Sequence, residues 1–111
     1  MEEEIKEAFK SGRIVWKLSN KNLSSIQDEF FQIRTLRVLH LNNNSLKYIS
    51  PALQNLKMLE VLDVSNNLLQ EIPEEIGELV KLRVLMLYNN KIHHLPFTIG
   101  KLNSLETLSI A

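Results

Sequence analysis

The chain of 111 residues contains no cysteine. That excludes a disulfide-stapled secreted scaffold and argues for a reducing compartment inside the cell, cytoplasmic or nuclear. A surplus of charge is missing too. Lys and Arg number 13 and Asp and Glu number 13, so no bulk field draws the chain to nucleic acid or an anionic membrane. No apolar run approaches the ~18 residues of a membrane span, and the opening MEEEIKEAFK is acidic where a signal peptide is basic. The sequons Asn22-Leu23-Ser24 and Asn43-Asn44-Ser45 are accordingly read as accidents of an Asn-rich pattern. Glycine occurs only three times, at 12, 77 and 100, and no Gly-rich phosphate loop, Walker motif, CxxC pair or HExxH is present. No cofactor, resident metal or catalytic group is expected, and the chain is read as not being an enzyme.

What is present is a repeat. Leu36, Leu59, Leu82 and Leu105 open the phrases LRVLHLNNNSL, LEVLDVSNNLL, LRVLMLYNNKI and LETLSIA, spaced by 23 residues without a slip. The pattern L-x-x-L-x-L-x-x-N-x-L resembles the leucine-rich repeat, whose period lies between 20 and 29 residues. Extended backwards, the frame gives repeats at 13–35, 36–58, 59–81 and 82–104 and a fifth begun at 105–111. In the first repeat Trp16, Leu18, Leu23, Ile26, Phe30 and Ile33 stand where Leu39, Leu41, Leu46, Ile49, Leu53 and Leu56 stand in the second.

Within each repeat the L-x-x-L-x-L part alternates with period two and predicts a short parallel strand. An Asn turn follows, then a half with apolar residues three apart, such as Ile76 and Leu79, that predicts a 3₁₀ or short helical turn. Pro73 and Pro96 end the strand-side conformation and start this return segment. The fold class is therefore an α/β solenoid: a leucine-rich repeat arc with a parallel concave sheet and short convex 3₁₀ or helical segments. Asn44, Asn67 and Asn90 share position 9, where side-chain amides can bond the backbone of their own and adjacent turns as a ladder.

The two ends differ. Residues 1–12 predict a capping helix: Glu2, Glu3 and Glu4 suit the positive end of a helix dipole, Ile5, Ala8 and Phe9 form an apolar stripe, and Lys10 and Gly12 close it. At the other end Leu102, Leu105, Leu108 and Ile110 have no following coil. Solenoids need polar caps, and an unpaired edge strand is a template for association. The expectation is a fragment of something longer, or a last strand that pairs with a partner or with another copy of itself.

Positions 3, 5 and 7 of each strand point to the concave face, in columns ~4.8 Å apart. Position 3 is a valine column (Val15, Val38, Val61, Val84) ending in Thr107. Positions 5 and 7 supply the candidate partner-binding residues Lys17, His40, Asn42, Asp63, Met86 and Tyr88, with Met86 and Tyr88 the best anchors because exposed Met and aromatic residues carry interface energy. His40, Asp63 and Ser65 have the residue types of a hydrolytic triad, but on an open sheet without oxyanion donors they read as a surface ion pair. His93-His94 lacks further ligands nearby for a metal. Arg37, Glu60, Arg83 and Glu106 alternate at position 2 as a cross-strand charge ladder.

The return segments Ile72-Pro73-Glu74-Glu75-Ile76-Gly77-Glu78-Leu79 and Leu95-Pro96-Phe97-Thr98-Ile99-Gly100-Lys101-Leu102 resemble the IPxxIGxLxxL and LPxxIGxLxxL segments of the intracellular, 23-residue class of leucine-rich repeats. Ile49-Ser50-Pro51-Ala52-Leu53 and Ile26-Gln27-Asp28-Glu29-Phe30 depart from it. The resemblance implies a non-catalytic module that binds protein partners as an adaptor or scaffold. Trp16-Lys17-Leu18-Ser19, the count of about five repeats and the phrase at Leu105–Ile110 are also similar to the leucine-rich module of yeast-type poly(A) deadenylase catalytic subunits. That likeness implies an N-terminal docking module whose nuclease domain is missing from this chain.

Overall fold

The computed structural model describes residues 1–111. Helix α1 (Glu2–Ser11) precedes five strands, β1 (Val15–Lys17), β2 (Val38–His40), β3 (Val61–Asp63), β4 (Val84–Met86) and β5 (Thr107–Ser109). Between successive strands lie single 3₁₀ turns at Asp28–Gln32, Pro51–Asn55, Glu74–Glu78 and Phe97–Lys101. The strands form one parallel sheet in sequence order, β1-β2-β3-β4-β5. Val38 faces Val61, Leu62 faces Leu85 and Met86 faces Ser109, so every partner lies one sequence period away. A slip of one residue would turn the leucines outward, and burial of one face therefore fixes the register.

The recurring apolar positions of each repeat go inward. Leu59, Leu62, Val64, Leu69, Ile76 and Leu79 of the third coil are all at most 2% exposed, and each contributes roughly 1.5–3 kcal/mol by leaving water. The same positions recur in the other coils and join into one cluster of 25 buried residues. The first coil fills its share with rings: Trp16 and Phe30 lie 4.9 Å apart, and Phe31 meets Phe30 edge-on at 5.5 Å. The backbone ladder continues past the strands, as in Leu41 N–H to Asp63 O (2.8 Å) and Lys91 N–H to Leu69 O (2.8 Å). The prolines act where the second, third and fourth 3₁₀ turns begin. Pro73 and Pro96 are the extended residues just before their turns, whereas Pro51 is the first residue inside its turn, behind Ser50 whose hydroxyl accepts from Ala52 N–H at 3.0 Å.

Helix α1 packs on the first 3₁₀ turn and buries Ile5 and Ala8. It ends at Gly12, whose φ of 66° and bond to Ala8 O form a left-handed cap. Phe9 departs from the predicted stripe and is 63% exposed. The buried side of the helix runs from Ile5 to Ala8, three residues on, and Phe9, on the other shoulder of Ile5, is left facing outward. At the far end the pattern loosens. Leu108 is 38% exposed although its counterpart Leu85 is wholly buried, because β5 is covered on one side only.

Candidate functional site

The concave face is built by alternation. With positions 4 and 6 buried, positions 3, 5 and 7 face out in columns whose members are backbone partners: Lys17 with His40, His40 with Asp63, Asp63 with Met86. Val38, Val61 and Val84 are half-buried and form a continuous apolar stripe, and Val15 at its end is exposed. Lys17 is exposed, while His40, Asn42, Asp63, Met86 and Tyr88 are half-buried. All six candidate residues thus lie on one surface.

Local hydrogen bonds already occupy two of them. Ser19 donates to Asn42 Oδ1 at 2.7 Å, and Asp63 Oδ1 accepts both the Ser65 hydroxyl (2.6 Å) and the Ser65 N–H (3.0 Å). Ser65, unlike the other residues of position 7, is fully buried. The expected ion pair between His40 and Asp63 does not form, since the carboxylate is turned along its own strand to Ser65 rather than across to β2. The serine proton points to Asp63 and not to the imidazole, so the triad geometry of a hydrolase is not assembled either. Lys17, His40, Met86 and Tyr88 keep their side chains free of side-chain hydrogen bonds and ion pairs.

The charge ladder at position 2 is partial. Arg83 reaches Glu106 at 3.1 Å and Glu60 at 3.6 Å, whereas Arg37 makes no ion pair with Glu60. Arg83 lies between two acidic neighbours, and the carboxylate of Glu60 is drawn to its side. The hydrogen bond and charge of Glu106, aided by Glu60, hold the Arg83 guanidinium above its ordinary pKa, so it stays charged at every accessible pH.

Beneath this face lies the asparagine row. Asn67 is 5% exposed; its Nδ2 donates to Leu41 O (3.0 Å), Val64 O (3.0 Å) and Ser65 O (3.1 Å), and its Oδ1 accepts from Leu46 N–H (3.0 Å). Asn44 and Asn90 repeat this pattern one coil earlier and one later. Every such amide clasps its own coil to the preceding one, which makes the row structural. Lys21 occupies the same position in the first coil. The preceding residues Asn20, Asn43, Asn66 and Asn89 all have φ between 53° and 60°. Asparagine tolerates that left-handed conformation better than other side-chain-bearing residues. The first member of each Asn-Asn doublet carries this signal in the sequence.

Sequence reasoning also missed a second surface. On the flank leading from the Asn turn to the 3₁₀ turn, a depression of 400 Å³ is lined by Glu71, Pro73, Glu74, His94, Pro96 and Phe97, among others. Phe97 is 99% exposed. Its signal was an aromatic at repeat position 16, where the neighbouring coils carry Pro51 and Glu74.

The chain matches the family model described as a leucine-rich repeat region over residues 14–111. No curated protein matches it. Among solved structures, a leucine-rich repeat protein of Leptospira interrogans superposes with a TM-score of 0.76 at 28% identity, covering 95% of this chain and 33% of that one. A chain of the BIR3–SERK2 complex from Arabidopsis thaliana gives 0.76 at 31% identity over 88% of this chain and 55% of that one. A plant peptide hormone receptor, RGFR1 in complex with RGF2, gives 0.76 at 33% identity over 87% and 17%. The chain therefore spans between about a sixth and just over half of these structures.

Proposed function

The chain belongs to the leucine-rich repeat family, and we propose that it is a protein-binding module that serves as an adaptor or scaffold through its concave sheet. The observation that carries this reading is the valine stripe of Val38, Val61 and Val84, bordered by Met86, Tyr88, His40 and Lys17 in one rigid register. An apolar strip edged by uncommitted polar and aromatic groups is the composition of an interface core with its rim. Two of the similar structures are complexes, one with a second protein and one with a named partner, RGF2, which supports a protein or peptide ligand here. The absence of cysteine supports an intracellular setting.

The test is site-specific photocrosslinking in extract of the source cells. A photoreactive residue replacing Asp63 or Tyr88 gives a discrete adduct, and one replacing Gln54 on the 3₁₀ side gives none. Met86→Ala and Tyr88→Ala each weaken capture by roughly five- to thirtyfold, the effect of losing an interface anchor worth about 1–2 kcal/mol. Adducts from Gln54 alone, or full capture by both alanine variants, would move the binding surface away from the concave face.

A further inference from the structure

We propose that the flank around Phe97 is a second docking groove, separate from the concave face, for an extended peptide that alternates basic and apolar side chains. Two depressions meet there. The one of 400 Å³ and a neighbouring one of 90 Å³ share Glu71 and Pro73 as a common wall, so the groove crosses the second, third and fourth coils. Aromatic rings border its two ends. Tyr48 is 60% exposed on the second coil and Phe97 is 99% exposed on the fourth. Desolvating such rings is favourable, and their faces attract cations.

Charge selects the occupant. Glu78, on the outer side of the third coil, is matched by Lys57 at 3.5 Å and Lys101 at 3.9 Å. Glu71 and Glu74, which line the groove, are exposed and have no ion-pair partner, and neighbouring Glu75 has none either. In a chain whose 13 basic and 13 acidic residues balance overall, two groove-lining carboxylates and a third close by, all without ion-pair partners, are a local bias toward a cationic ligand. The floor is apolar and stiff. Pro73 and Pro96 hold φ at −66° and −69° in the extended form, so little conformational freedom is lost on binding. Apolar side chains of the peptide rest on these prolines beside Phe97, and its lysine or arginine groups meet Glu71 and Glu74.

The experiment uses the whole chain and a fluorescein-labelled octapeptide of alternating lysine and leucine, followed by anisotropy and by amide shifts in NMR. Saturable binding is expected, with shifts at Glu71, Glu74 and Phe97, and it weakens as salt rises from about 50 to 300 mM. Phe97→Ser is expected to weaken it about fivefold and the double variant Glu71→Gln/Glu74→Gln about tenfold, with folding unchanged because all three side chains are exposed. Tyr88→Ala on the concave face leaves it unaltered, which separates this groove from the first surface. Equal binding of a glutamate–leucine peptide would overturn the charge argument, and equal binding of a lysine–serine peptide would overturn the apolar one. Absence of saturable binding, or shifts confined to the concave strands, would dispose of the groove altogether.

Discussion

Asn67 shows what one side chain contributes when the backbone depends on it. Its amide satisfies Leu41 O, Val64 O and Leu46 N–H in a place water does not reach. Asn67→Leu keeps the volume and removes every bond, stranding groups that cost about 1–3 kcal/mol each when buried unpaired. A loss of about 3 kcal/mol is expected in chemical denaturation, with the slope unchanged. Val80→Thr, at an exposed site, serves as the neutral control. At this scale the sequence was legible wherever a residue type has one structural use. Position 9 could be assigned because a buried amide in a strand-turn repeat has only backbone to bond. Asp63 could not, because its choice between His40 and Ser65 turns on side-chain rotation, which spacing does not encode. Alternation alone puts Tyr88 and Met86 on the outward face of the sheet, and their half-burial depends on neighbouring columns that period two does not describe.

Among elements, the third and fourth 3₁₀ turns pack tightly at a glycine. A Cβ on Gly77 would lie 2.6 Å from Thr98 Cβ and 2.8 Å from its backbone oxygen, while Thr98 donates its hydroxyl to Glu74 O at 2.6 Å. Gly77→Ala therefore forces two coils apart and is expected to cost roughly 1–3 kcal/mol. At Gly100 a Cβ would meet nothing within 4 Å, and Gly100→Ala is expected to stay within about 0.5 kcal/mol of the parent. Thermal denaturation of both variants checks the contrast; equal Tm values would refute it. Strands and return turns were legible because their periods of two and three are imposed by geometry. The exposure of Phe9 was not, since an apolar stripe of Ile5, Ala8 and Phe9 does not say which shoulder of Ile5 packs on the first coil. The flank groove went unread for a related reason: it belongs to no single repeat and arises only when Tyr48, Glu71 and Phe97 come side by side from three coils.

At the level of the whole molecule, each coil touches only its neighbours, so stability is a sum of coil and junction contributions along one axis. The interior coils have a neighbour on both sides, whereas β5 has one and carries half-exposed leucine. Amide exchange is expected to be slowest in β3 and to quicken toward β5, and uniform protection along the chain would show that unfolding is all-or-none instead. Architecture at this scale was the most legible of all, because a constant period leaves a chain few ways to bury its leucines.

The unvarying register also has a mechanical consequence. Because the ladder bonds run from coil to coil along the axis, tension between the ends loads them like the teeth of a zip, one row after another. Held in an optical trap, the molecule should lengthen in equal jumps of roughly 75 Å, the contour of one period. The arc would then behave as a ratcheted extensible link, yielding by counted increments where an ordinary globule gives way at once.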